Sequence, residues 1–136
     1  MNSVFSHYNQ VITLVEAEFD RNVRLYGDRM QCGRGCSSCC SQMFGITIMD
    51  AIMISRKMKQ LPAAERDDLQ ARAQHYIEER ARLIHQRADE DNQNEREVPT
   101  TGLRLPCPAL NEQGACRIYD ARPIVCRKWG IPLFDP

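Results

Sequence analysis

The stretch that decides the reading is Cys32-Gly-Arg-Gly-Cys36-Ser-Ser-Cys39-Cys40. Four of the seven cysteines fall within these nine residues, and the others follow much later, at Cys107, Cys116 and Cys126. Thiolates are soft ligands suited to zinc or to an iron–sulfur cluster. A loop rich in glycine and serine turns tightly, so several sulfurs can converge on one centre and backbone N–H groups can reach them. The stretch predicts a metal-binding chain.

Working outward, 136 residues suit one domain, 1–136. Hydrophobic residues make up 43% and charged residues 26%, both ordinary for a globular protein. Lys+Arg and Asp+Glu both number 18, a balance that gives no support to a broad electrostatic footprint for nucleic acid or anionic lipid. The longest nearly apolar run, Met43 to Ser55, is interrupted by Asp50 and is too short to span a bilayer. The first twenty residues carry Glu16, Glu18 and Asp20 and do not read as a secretory signal. A cytoplasmic, reducing setting is therefore expected, in which cysteines are rarely structural disulfides. An odd number of cysteines also cannot pair completely within one chain.

Before the loop, Phe5, Tyr8, Ile12, Val15, Phe19, Val23 and Tyr26 recur at steps of three and four, which predicts a helix over 4–26 stopped at Gly27. After the loop, Thr47-Ile-Met-Asp50 reads as a capping box, with Asp in place of Glu or Gln, opening a helix to about Gln60. Its methionines read as core packing. Pro62 suits the first turn of a long helix over 62–88, whose seam is Leu69, Ala73, Tyr76, Ile77, Leu83 and Ile84 among charges of mixed sign. Such a seam docks on the protein's own helices, or serves a protein partner or self-association. His75 and His85 stand nearly opposite each other around this helix and cannot share a metal. Residues 89–98 have no apolar period and read as a mobile, solvated linker. The last segment is punctuated: a small hairpin between Leu110 and Cys116 turning at Gly114, one helical turn at 119–122, and another started by Pro123 that carries Cys126. The fold class is thus mainly α: a small helical domain with a Cys-rich, metal-clipped loop region and a long inserted helix.

The cysteine spacing is C-x3-C-x2-C-C, a long gap, then C-x8-C-x9-C. A zinc ribbon wants two C-x2-C knuckles, and only Cys36-Ser-Ser-Cys39 qualifies. The ferredoxin run of C-x2-C-x2-C-x3-C-P is absent. A thioredoxin-like pair needs a βαβ setting, whereas helices flank this loop. Cys32-x3-Cys36-x2-Cys39 matches the three-cysteine signature of radical S-adenosylmethionine enzymes, but the chain has neither the length nor the strand that such barrels need.

Cys32, Cys36, Cys39 and Cys40, then Cys107-Pro108-Ala109-Leu110, then Cys116-Arg117-Ile118-Tyr119 with Arg122-Pro123 and Cys126-Arg127 together resemble the YkgJ-type cysteine-cluster family, whose members are described as zinc- or iron-chelating. The helix at 62–88 lies outside that motif. Relatives commonly carry one more cysteine beyond the Cys126-Arg127 pair, so either that ligand is dispensable or the chain is cut short. The resemblance implies a metal site where the early loop and the late segment meet, drawing on Cys32, Cys36, Cys39, Cys40, Cys107, Cys116 and Cys126, with Cys36, Cys39, Cys116 and Cys126 as the inner set. One tetrahedral ion takes four thiolates, and a two-metal arrangement with bridging sulfur takes six or all seven. The vicinal Cys39 and Cys40 are expected to diverge and to serve different roles. Arg117, Arg122 and Arg127 either offset the charge of a thiolate centre or make carboxylate pairs. Trp129 reads as packing.

Three functions follow: a non-catalytic metal-binding protein, an Fe–S-dependent enzyme for methyl transfer or redox chemistry, and a metal-stapled interaction module using the 62–88 helix. Similar cysteine patterns occur in bacterial flagellin lysine methylases, which keeps the second open. No nucleophile-and-base pairing, phosphate loop or dinucleotide fingerprint supports catalysis. Zinc is expected in protein handled in air, with an Fe–S cluster as the alternative in the cell.

Overall fold

The apolar stripe at the start of the chain becomes α1 (Asn2–Tyr26), followed by a short 3-10 turn, Gly27–Arg29. These bounds come from a computed structural model that describes residues 2–30 and 37–129. Of the predicted stripe, Tyr8 is buried and Phe5, Ile12, Val15 and Phe19 are half-buried, while Val23 and Tyr26 run out into solvent. A second helix, α2 (Ile48–Gln60), opens at the expected capping box: the Asp50 N–H donates to Thr47 Oγ1, and the Thr47 N–H donates to Asp50 Oδ2 at 2.8 Å.

The long helix α3 (Ala63–Asp91) takes Pro62 as its N-cap. It runs three residues beyond the predicted end, into the segment expected to be linker. It stops where Asn92 turns left-handed (φ 51°) and its N–H returns to Ala88 and Asp89, a geometry that asparagine tolerates. The seam docks mainly on the protein itself: Leu69 is buried, and Ala73, Tyr76, Leu83 and Ile84 are half-buried. Ile77 is the exposed member. Val98, at the end of the connection, is buried.

The punctuated last segment folds as its turn residues dictate. Leu110 bridges Cys116 antiparallel across a turn in which Gly114 has φ 75°, beyond the ready reach of other residues. A 3-10 turn (Tyr119–Ala121) and α4 (Ile124–Lys128), entered from Pro123, then present Cys126. Among the described residues there is no extended sheet, only the bridges Gln42–Arg104 and Leu110–Cys116. The predicted mainly helical class is what forms.

The described core is thin. Its buried hydrophobics are Tyr8, Leu69, Ala88, Val98, Ala109, Ile118 and Ala121, three of them alanines. The main cluster joins Leu69, Ala109 and Ile118 to Ile54, Met58 and Leu61, with Cys107 and Cys116 packed against it. Side-chain ties do much of the remaining work. Asp50, 1% exposed, accepts from the Tyr8 hydroxyl (2.6 Å) and the Ile124 N–H (2.9 Å) on Oδ1, and so joins α1, α2 and α4. The buried Arg127 guanidinium donates from Nε to the Arg122 carbonyl (3.0 Å), from Nη2 to the Asp120 carbonyl (2.8 Å), and from Nη1 to Glu16 of α1.

Candidate metal centre

Backbone pairing brings the two cysteine-bearing segments together. The Cys107 N–H donates to the Cys40 carbonyl (2.8 Å) and the Leu105 N–H to the Ser41 carbonyl (2.9 Å), alongside the Gln42–Arg104 bridge. The 3-10 turn Ser38–Ser41 carries Cys39 and Cys40 to this junction. From the other side, the hairpin offers Cys107 and Cys116, and α4 offers Cys126. All five thiols line one cavity of about 690 Å3 and none is in a disulfide. Cys32 and Cys36 lie outside the described residues, and with them half of the four-cysteine loop and one member of the expected inner set.

Cys39 and Cys40, expected to diverge, both line this cavity. Cys40 and Cys107, outside the expected inner set, stand there as fully as Cys116 and Cys126. Among the described residues no group of three His, Cys, Asp or Glu side chains forms a ready metal cage. The thiols share a cavity without meeting at one point.

Burial dominates their electrostatics. It pushes the Cys40 thiol up to about 12, and charge on Cys39 and Cys107 pushes the same way. Cys126 is also raised to about 12, by burial and then by Cys107, Cys40, Cys39 and Cys116. Cys107 and Cys116 are raised by burial as well, but each is relieved by a backbone N–H two residues on, from Ala109 and Ile118. Those N–H groups are positioned to stabilise sulfur as an anion, as a metal-bound thiolate requires. Arg122 also favours the ionised form of Cys116, and Arg72 that of Cys107. Mutual repulsion among buried thiolates is what a bound cation removes. The donor set therefore fits a soft metal.

A model of a cysteine-rich domain family matches residues 31–130, most of the chain. The chain belongs to the CxxCxxCC family. Its description is "putative zinc- or iron-chelating domain", so metal binding by cysteines is the family's character, whichever the metal. The CxxCxxCC name spells two residues between its first two cysteines, whereas this chain has three between Cys32 and Cys36. Searches of curated proteins and of solved structures return no match. The CxxCxxCC match agrees with the YkgJ-type cysteine-cluster resemblance drawn from the motifs.

The arginines divide between the two expected roles. Arg127 is a buried staple and Arg117 pairs with Asp68 of α3. Arg122 instead stacks over the Tyr119 ring, 3.7 Å from its centroid, and reaches Glu16 only at 3.9 Å. His7 bonds the Ser3 carbonyl and His85 pairs with Glu95 and Asp89, so neither joins the thiols. Sequence reasoning took Asp50 as a local cap and missed its ties to Tyr8 and Ile124. No spacing signal announces partners 42 and 74 positions away. No helix among the described residues is long and apolar enough to cross a membrane.

Proposed function

We propose that this chain is a non-catalytic metal-binding protein of a reducing, cytoplasmic setting, holding zinc between the 32–40 loop and the 107–126 segment. The observation that carries the reading is that five free thiols, from three separate segments, line one cavity. Cys39, Cys40, Cys107, Cys116 and Cys126 are the proposed ligands and bridges from the described residues, with Cys32 and Cys36 completing the set. Burial raises the Cys107 and Cys116 thiols, and the backbone N–H groups of Ala109 and Ile118 oppose it by favouring the anionic sulfur. The bound metal supplies the positive charge that lets buried thiols remain deprotonated together.

Five described thiols exceed the four that one tetrahedral ion takes, which favours a centre with more than one metal. An iron–sulfur cluster, and with it methyl-transfer or redox chemistry, is the alternative that the same sulfur-only donor set supports.

The test is anaerobic purification, then an absorption spectrum and elemental analysis of metal and acid-labile sulfide per chain. Colourless protein with one or two zinc ions, lost in Cys40→Ser and Cys126→Ser variants, is the expected result. Brown protein with iron and sulfide moves the reading to the cluster. Stable metal-free protein overturns both.

A further inference from the structure

The cavity is far larger than a metal ion and its sulfurs need. At about 690 Å3 it falls within the range of small-molecule sites, roughly 300–1,000 Å3. Away from the thiols its wall is apolar, formed by Phe19 of α1, Phe44 and Ile46 before α2, Met58 of α2, and Leu69 and Tyr76 of α3. A site of this kind is an apolar chamber with a reactive or coordinating edge.

One cation lining the cavity lacks a close carboxylate. Arg122 lines the cavity and stacks on Tyr119, yet among the described residues its only carboxylate contact is the 3.9 Å approach to Glu16. Glu16 is already taken by Arg127, at much shorter range. Arg122 Nε is covered and has no hydrogen-bond partner among the described residues, and its side chain is 23% exposed. Trp129, which also lines the cavity, has a covered indole N–H without an acceptor among the described residues. Both groups donate and neither accepts, so what they lack is an acceptor. Buried donors left unpaired are costly, and a charged one most of all. Asp20, the remaining carboxylate of the wall, is exposed on α1 and needs no partner from the cavity.

We infer that the cavity binds a small organic anion, a carboxylate on an apolar body: the Arg122 guanidinium takes the charged end, a small turn of the side chains brings Trp129 Nε1 to the same group, and the apolar wall takes the rest. This places an organic ligand beside the thiol centre and goes beyond metal binding as the protein's role. The inference rests on the cavity wall and does not depend on which metal is bound.

Trp129 is the single tryptophan of the chain, so its fluorescence reports on this wall directly. Decanoate titrated into the full chain, as purified anaerobically, is expected to give a saturable change, and 1-decanol of the same length to bind at least ~10-fold more weakly for want of the charge. Arg122→Gln is expected to weaken decanoate by a similar ~10-fold, the effect of losing one charged hydrogen-bonding partner. Ala73→Phe, which projects a ring into the apolar end from α3, should abolish binding without touching Arg122. Circular dichroism and metal content are read on every sample, so a variant that fails to fold is recognised and the other carries the test. No saturable response, equal binding of decanol, or unchanged binding in both folded variants overturns the inference. Metal-bearing protein that ignores decanoate refutes this proposal alone, whereas metal-free protein that binds it refutes the metal reading alone.

Discussion

Replacing Asp50 by asparagine tests how the thin core is held. The carboxylate is 1% exposed and every neighbour bonded to it donates: Tyr8 OH and Ile124 N–H to Oδ1, Thr47 N–H and Thr47 Oγ1 to Oδ2. An asparagine presents one oxygen and one NH2. Either orientation sets that NH2 against a backbone N–H, of Ile124 or of Thr47, that cannot turn away. One stranded buried donor costs about 1–3 kcal/mol, and the other bonds lose their charge assistance, for a total of about 3–5 kcal/mol. That is a large part of the 5–15 kcal/mol typical of a folded domain. Tyr8→Phe removes one donor and leaves three, so about 1–2 kcal/mol is expected. Urea unfolding followed by far-ultraviolet circular dichroism measures both. Because Ile124 begins the helix that presents Cys126, Asp50→Asn is also expected to lose metal to a chelator faster than Tyr8→Phe does. If Asp50→Asn unfolds within about 1 kcal/mol of the parent and holds metal equally well, the claim that this carboxylate joins the three helices is wrong.

The same carboxylate sets an acid limit. Burial by itself raises the Asp50 carboxyl, but hydrogen bonds from Tyr8, Ile124 and Thr47 outweigh burial and hold it below the usual range. Its contribution is therefore complete above the unfolded value near about 4 and is lost as pH falls through the folded value, a loss that Asp50→Asn should no longer show in denaturation at successive acid pH values. Arg127→Lys keeps the charge but cannot serve Glu16 and the Arg122 and Asp120 carbonyls together; chemical denaturation should show a loss of about 2–4 kcal/mol. Gly114→Ala forces φ 75° on a residue with a Cβ and sets that Cβ 3.2 Å from Ser37 Oγ. The hydroxyl can turn aside, so thermal or urea unfolding should show only the backbone cost, about 1–2 kcal/mol.

The parts of the fold that were legible in the sequence are those governed by local rules. Steps of three and four gave α1, Thr47 and Asp50 gave the start of α2, and Gly114 and Pro123 placed the hairpin and the helix that carries Cys126. The end of α3 was read three residues short because Asp89, Glu90 and Asp91 look like solvated linker, and solvated residues extend a helix as readily as they leave one. At the site, cysteine identity was legible, because few other roles explain so many thiols outside disulfides. Their grouping was not, since it depends on the pairing of 40–42 with 104–107, partners more than sixty positions apart.

The ties that organise this protein are therefore not the motif itself. Asp50 and Arg127 fasten the N-terminal helix to the two ends of the segment carrying Cys126, and neither contact involves a sulfur. A domain whose apolar core includes three alanines gains from such ties, and it gains again if a metal closes the thiol wall. The two contributions are separable. Loss of the metal should loosen the junction of 40–42 with 104–107, while α1, α2 and α4 stay joined through Asp50. Hydrogen exchange on apo and metal-loaded protein should accordingly show Cys107 and Leu105 N–H groups losing protection before Ile124 does. Simultaneous loss at all three would mean that the metal, and not the carboxylate, holds the helices together.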